Sequence, residues 1–185
     1  MSVALRSVVI DTCATINLLA TSSEVAIVRA LAITLIDTPQ ICDEATGLWT
    51  LPDADGVQHK QPTSTRRLRD AGLLHTRALD TDELIAAYLA CAAVISDGDA
   101  SCIALAGVLG RPLVTDDRKA RKIALDRFPA IELIGTLDLI VDAAAALGWD
   151  RDEMVQMAFD LRWRGRFLPP RQARHADWYR ALLER

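Results

Sequence analysis

Asp11, Glu44, Asp99, Asp116 and Asp117 are the residues of this sequence whose type and placement could do chemistry. Two apolar, β-branched runs end in aspartate: Val8, Val9 and Ile10 lead into Asp11, and Leu113, Val114 and Thr115 lead into the pair Asp116 and Asp117. Glu44 and Asp99 stand at or near the starts of helix-like segments. Carboxylates brought together repel and raise one another's pKa unless a cation neutralises them. A hard divalent ion held through carboxylate oxygens and water resolves that conflict, and a set without His or Cys suits Mg²⁺ or Mn²⁺. Taken singly, each residue has a plainer reading. Aspartate is a favoured helix N-cap, which accounts for Asp11, Asp99, Asp116 or Asp117 alone, and a lone glutamate such as Glu44 is more often a solvated helix residue. Asp80, Asp82 and Glu83 are left to helix capping, and Asp97 is the weakest of the remaining acids. The case for a site rests on the set.

The elements that must position these acids follow from periodicity and punctuation. Residues 7–10 predict a buried strand that feeds a helix over 12–20. Residues 26–31 predict a helix and 33–36 a short strand, after which Pro39 marks a turn. Residues 42–49 open another helix, and 52–64, with Pro52, Asp53, Asp55, Gly56, Pro62 and Ser64, form the most loop-like stretch. A strand over 73–79 precedes a capping-box-like start at Asp80 and Glu83 for an apolar helix over 84–95. Gly98 breaks that helix, Asp99 begins the next, and Gly110 with Pro112 ends it. Then come a strand over 113–115, a basic helix over 118–125, a strand over 131–134, and helices over 137–147, 154–161 and 178–183, with a break at Pro169 and Pro170. Strands alternating with helices predict an α/β fold whose parallel sheet is covered on both faces. In such a sheet, functional groups gather beyond the carboxyl ends of the strands, where Asp11, Asp116 and Asp117 are expected.

With 185 residues, 51% of them hydrophobic and 25% charged, the chain is expected to form one domain with a sizeable core and no staples. Cys13, Cys42, Cys91 and Cys102 form no CxxC pair or other metal-ligand spacing and read as reduced core residues of a cytosolic protein. No signal-peptide pattern and no apolar run of roughly 18 residues occurs, so a cytoplasmic location without a membrane is expected. The net charge of -4 argues against general coating of nucleic acid. It is compatible with an acidic metal site flanked by basic patches. Such patches are Arg118, Lys119, Arg121 and Lys122, the group Arg66, Arg67 and Arg69, and a tail in which five arginines from Arg162 to Arg174 interleave with Trp163, Phe167 and Trp178. That mixture suits stacking on bases and pairing with phosphates; a solvated face or a self-docking tail explains it as simply. His59, His75 and His175 fall in a loop, a strand and the tail, where solvation or packing accounts for them.

The stretches Val8-Val9-Ile10-Asp11-Thr12-Cys13, Ile41-Cys42-Asp43-Glu44, Asp99-Ala100-Ser101-Cys102-Ile103-Ala104-Leu105-Ala106 and Leu113-Val114-Thr115-Asp116-Asp117 together resemble the PIN-domain family, including its toxin ribonucleases of VapC type. The stretch from Gly98 to Ala106, followed by Asp116-Asp117-Arg118-Lys119-Ala120-Arg121, looks like the branch with a longer C-terminal region, and the region after Gly135 has no counterpart in the smallest members. The resemblance implies a three-layer α/β/α sandwich around a central parallel sheet of about four or five strands. It implies residues 1–148 as the nuclease domain and 149–185 as a helical extension packed on it. It further implies a Mg²⁺- or Mn²⁺-dependent endoribonuclease, with Asp11, Glu44, Asp99 and Asp117 as catalytic metal ligands and Asp116 as a close alternative. Thr12 and Thr115 beside the acids, and Arg118, Lys119 and Arg121 after them, are the expected substrate contacts. The implied partners are an RNA substrate, an antitoxin protein if the chain is the toxin of a type II pair, and a second copy of the chain.

Two other classes compete. One is a PIN-like module that holds RNA or protein without cutting. The other is a phosphatase or phosphotransferase on a doubly wound sheet, with the aspartate after the first strand as nucleophile. A haloacid-dehalogenase-like enzyme would want a second Asp where Cys13 stands, and a receiver domain would want its acidic pair after the first strand, whereas Asp116 and Asp117 come late. A homodimer or partner interface is expected from the stripe Leu84, Ile85, Tyr88 and Leu89 and from Trp163, Phe167, Trp178 and Tyr179, which lie in segments too short to bury themselves. Packing of the tail on its own domain is the alternative.

Overall fold

The computed structural model describes residues 6–44 and 47–184, with the side chains of Asp43 and Glu44 outside the described set. Its centre is β1 (Arg6–Ile10), whose side chains alternate between the faces of the sheet as a pleated strand requires. Val8 and Ile10 enter one core together with Leu35, Leu74 and Val114, and Val9 enters another with Leu113. Strands β2 (Ile33–Asp37), β5 (Leu74–Thr76), β6 (Leu113–Val114) and β7 (Leu133–Ile134) complete the sheet, in the order β5-β2-β1-β6-β7 and parallel throughout. The chain therefore moves outward from β1 in one direction through β2 and β5, then returns to the other side of β1 with β6. That reversal creates a crevice between the carboxyl ends of β1 and β6, the place where open α/β sheets bind ligands.

On one face lie α1 (Thr12–Ala20), α2 (Glu24–Ala30), the short α4 (Arg66–Asp70) and α8 (Thr136–Leu147); on the other lie α3 (Pro39–Glu44), α5 (Asp82–Ala92), α6 (Asp97–Val108) and α7 (Arg118–Arg127). These are the three layers implied by the family resemblance. Helix α8 ends at Gly148, whose φ of +68° is the left-handed conformation that glycine adopts at no steric cost. A third cluster joins α8 to α9 (Arg151–Trp163) and α10 (Ala176–Leu183), with Tyr179 wholly buried at its middle and Phe167 packed edge-on against it. A small antiparallel hairpin, β3 (Gly47–Trp49) with β4 (Lys60–Pro62), docks on the end of α9. The Trp49 N–H donates to the Arg164 carbonyl at 2.9 Å, and Gln58 Nε2 donates to the Trp163 carbonyl at 3.0 Å.

Several local expectations need correction. Helix α3 starts at Pro39 and stops at Glu44, so residues 47–49 belong to a strand, and the loop-like stretch contains β4. Helix α5 is capped by Thr81, whose hydroxyl accepts from the Leu84 N–H, and not by Asp80. Gly98 does not break a helix; it is buried in the first turn of α6, which Ser96 caps, so Asp99 stands three residues inside. Of the cysteines, Cys91 and Cys102 are buried, but Cys13 is exposed and Cys42 half-buried. Leu84 packs into the chain's own core, leaving Ile85 and Leu89 as the exposed part of the expected stripe. Phe167 and Tyr179 bury themselves in the same chain, against the premise that their segments are too short to do so. Among the described residues, no helix is long and apolar enough to cross a membrane.

Candidate active site

The acidic edge starts at Asp11, one residue past β1 and only 1% exposed. Its N–H donates to the Val114 carbonyl at 3.1 Å, which fixes it beside the end of β6. It caps α1 through Oδ1, which accepts from the Ala14 N–H at 2.6 Å, while its carbonyl accepts from the Thr15 hydroxyl. The capping reading is therefore correct for one oxygen. The other, Oδ2, is buried with no hydrogen-bond partner among the described residues. Burial pushes the carboxyl up to about 7; the Thr115 side chain and the Ala14 N–H pull it back, and the nearby charges of Asp116 and Asp99 push it further. No Lys, Arg or His among the described residues pairs with it.

Asp116 sits one residue past Thr115 and is held from α8 and α1. Its Oδ1 accepts from the Thr136 N–H at 3.0 Å, and its Oδ2 accepts from the Thr136 hydroxyl and from Asn17 Nδ2 at 3.4 Å. Burial raises its carboxyl above the usual range despite the bonds from Thr136. Asp117 is exposed and caps α7, accepting from the Ala120 N–H at 2.7 Å. Asp99 is half-buried, and its Oδ2 accepts from the Ser96 hydroxyl at 2.6 Å. Helix α6 is set against β1 by the Cys102 thiol, which donates to the Ile10 carbonyl at 3.4 Å. A buried 2.7 Å hydrogen bond between the Thr38 and Ser101 hydroxyls then joins the residue before α3 to α6.

The thiol of Cys13 registers the shared field of these groups. Although the residue reaches solvent, crowding around its sulfur and the charges of Asp11, Asp99, Asp117 and Asp116 push its pKa to about 12. Four sequence-predicted acids, Asp11, Asp99, Asp116 and Asp117, thus act on this one thiol. Glu44 closes α3 on the same sheet face as α6, but its side chain lies outside the described residues. Among the described residues, no three His, Cys, Asp or Glu side chains are grouped closely enough to hold a metal ion. The donor set still fits a hard cation. It is all oxygen, it crowds like charges, and Asp11 Oδ2 is a buried acceptor without a partner among the described residues.

The expected substrate contacts divide. Arg118 and Lys119 are exposed and Thr12 half-buried, all beside the acids. Thr115, by contrast, is fully buried, with its hydroxyl accepting from the Asp117 N–H, and so cannot meet a substrate. Arg121 is spent on the frame, donating to the Thr115 carbonyl at 2.8 Å and the Ile134 carbonyl at 3.4 Å. Sequence reasoning missed Asn17 and Thr136, which orient Asp116. The only signal for either was a polar residue on a helix face that is otherwise apolar. It also missed Asp37, the buried end of β2, which pairs with Arg69 at 2.5 Å.

A family model described as PIN domain matches residues 7–175, which takes in the sheet from Ser7 onward, the acidic edge and α9. A comparison with curated proteins gives no match. With the match spanning most of the sequence, the chain belongs to the PIN-domain family, whose members are generally nucleases that use divalent metals.

Proposed function

We propose that this protein is a Mg²⁺- or Mn²⁺-dependent endoribonuclease that hydrolyses single-stranded RNA at the edge formed by Asp11, Glu44, Asp99, Asp116 and Asp117. The observation that carries the reading is Asp11: a carboxylate 1% exposed, with one oxygen unpartnered and no cation paired with it among the described residues, in the crevice between β1 and β6. A fold retains an uncompensated buried acid at a cost, and such perturbed groups in a cleft mark functional sites. Asp11, Glu44, Asp99, Asp116 and Asp117 are the residues that would hold the ion. When bound, it makes water nucleophilic at neutral pH and neutralises charge building on the scissile phosphate.

The chain's own part is positioning. Thr136 and Asn17 hold Asp116, Ser96 holds Asp99, and the α7 N-terminus holds Asp117, so the acids are fixed before substrate arrives. Arg118 and Lys119, exposed just past the acids, meet the phosphates. The uncompensated charge favours this over a module that merely binds RNA, because such a module has no use for a cation site. It also disfavours a phosphotransferase in which Asp11 attacks, since the carboxyl is capped through Oδ1 and buried behind its neighbours. The toxin role within this reading rests on the motif resemblance, and growth arrest on induced expression, relieved by Asp11→Asn, is its test. For the enzyme itself, purified chain is incubated with single-stranded RNA in Mg²⁺ or Mn²⁺. Cleavage is expected, with loss on chelation and in Asp11→Asn; cleavage undiminished in that variant overturns the mechanism.

A further inference from the structure

Two cavities, of about 400 and 380 Å³, open side by side at the acidic edge. Both fall in the range of about 300–1,000 Å³ typical of small-ligand sites. They share Asp116, Arg118 and Pro170, so the junction between them lies at one of the proposed ion-holding acids. The first is walled by apolar Ile16, Phe167 and Leu168 with Arg166 at its border; the second by Leu137 and Pro169 with Arg174. Their outer wall is thus the segment joining α9 to α10, which no step of the proposed chemistry uses.

That segment is anchored rather than loose. A Cβ on Gly165 would come within 3.1 Å of Asn17 Oδ1, so the tail backbone is packed against the residue that orients Asp116. The next residue, Arg166, adopts φ +52°, a conformation uncommon outside glycine that persists only where surroundings enforce it. Its guanidinium lies 3.3 Å from the centre of the Trp49 ring, and neither Arg166 nor Arg118 makes an ion pair among the described residues. Leu168, 66% exposed, turns an apolar face to solvent beside it.

Two recesses with apolar walls and arginines at their rims, lined also by Asp117 in the first and Asp138 in the second and meeting at Asp116, match one ligand chemistry: a phosphodiester with an unstacked nucleotide on each side. We infer that the paired cavities are subsites for the nucleotides flanking the scissile phosphate of a single strand, and that residues 165–174 form their wall, with Arg166 and Arg174 as phosphate contacts. This rests on the RNA-cleaving reading of the same edge. A base still paired in a duplex cannot enter such a recess, so single strands are bound in preference.

The test is fluorescence anisotropy of a labelled short single-stranded RNA with the full chain in EDTA, where binding is read without cleavage. Arg166→Gln and Arg174→Glu are each expected to weaken binding by roughly tenfold, the scale of one lost charge–phosphate contact. Arg111→Glu, on the opposite edge of the sheet, serves as the control and stays within about twofold. Arg174 is exposed, so it keeps the test valid if Arg166→Gln lowers the melting temperature. Both variants binding like Arg111→Glu, an unlabelled RNA duplex competing as well as the single strand, or no binding by the unaltered chain would each overturn the inference. A chain that binds as described but never cuts in Mg²⁺ or Mn²⁺ sinks the nuclease reading and leaves the subsites standing.

Discussion

Asp11 and Asp37 lie at the carboxyl ends of neighbouring parallel strands, each is 1% exposed, and each has one oxygen without a hydrogen-bond partner among the described residues. They differ in the cation. Asp37 has Arg69 at 2.5 Å, and that guanidinium also reaches the Thr76 hydroxyl at 2.6 Å and the Cys42 sulfur at 3.1 Å, closing a local network around the ends of β2 and β5. Asp11 has the Thr115 side chain, the Ala14 N–H and the charges of Asp116 and Asp99 beside it, and no cation among the described residues. Where the fold intends a buried acid to be structural, it supplies the counter-charge itself. Where it leaves the charge unbalanced, at the β1–β6 crevice, the proposed divalent ion would supply the missing counter-charge.

The largest effect expected from breaking this contrast is on activity. Asp11→Asn should lower RNA cleavage on the order of a thousandfold while leaving the melting temperature unchanged or higher, because it removes an uncompensated charge. Asp37→Asn should do the reverse, keeping most of the activity and losing stability. Equal losses of cleavage in the two variants, measured under the same Mn²⁺ conditions, would erase the distinction. Next in size is Arg69→Met, which strands Asp37 as a buried, unpaired carboxylate. A loss of about 2–4 kcal/mol is expected by urea unfolding, at the lower end of what removing one partner of a buried pair costs. The discount reflects an Arg69 side chain that remains 32% exposed. A double variant Arg69→Met with Asp37→Leu should recover much of it, and failure to recover would show that Arg69 acts through Thr76 and Cys42 instead.

Why one half of this comparison was legible in the sequence and the other was not follows from chain distance. Asp11 and Asp116 follow apolar runs immediately, so a strand end and its acid are read together, and the alternation of elements gave the parallel three-layer sheet. Asp37 closes its own strand, yet the apolar run was read as ending at Ile36, and its meaning depends on Arg69, thirty-two residues later in the chain. Asn17 and Thr136 likewise acquire a role only across 99 and 20 residues from Asp116. The β3–β4 hairpin was missed because its strands are three residues each and β4 is fully exposed, leaving no alternation to detect. Its docking on Trp163, Arg164 and Arg166 is a tertiary choice that no local pattern encodes.

Acid titration separates the two regions further. Folded Asp11 keeps its proton up to about pH 7, whereas in the unfolded chain it ionises near 3.8. Between those values the folded state binds more protons than the unfolded state, so stability falls as pH rises from about 4 to 7 and levels off above. The loss should be on the order of 2–4 kcal/mol across that window in metal-free protein. Asp11→Asn should flatten the slope, and excess Mg²⁺ should restore stability at pH 8 through binding to the folded state alone. Identical pH profiles for the two proteins, from denaturant midpoints, would mean that Asp11 is ionised and satisfied without an ion.

The smallest effect concerns the two thiols that sit beside the two aspartates. Cys13 borders the Asp11 edge, where crowding and four carboxylates hold its pKa near 12, and Cys42 borders the Asp37–Arg69 pair. Alkylation proceeds through the thiolate. A divalent ion that neutralises the acids therefore lowers the Cys13 pKa and makes more of the reactive form. Thiolate gained per pKa unit is partly offset by lower nucleophilicity, leaving about a threefold rate increase per unit. At pH 9, Mg²⁺ should speed iodoacetamide labelling of Cys13 severalfold by that arithmetic, as read from the modified peptides by mass spectrometry. Cys42, whose neighbouring carboxylate already has its cation, should label at the same rate with or without Mg²⁺. Asp11→Asn should raise the Cys13 rate without metal and blunt the response to it. A response equal at both thiols, or absent at Cys13, would show that the four acids do not act on a common ion, and the contrast between the two strand ends would have to be redrawn on packing alone.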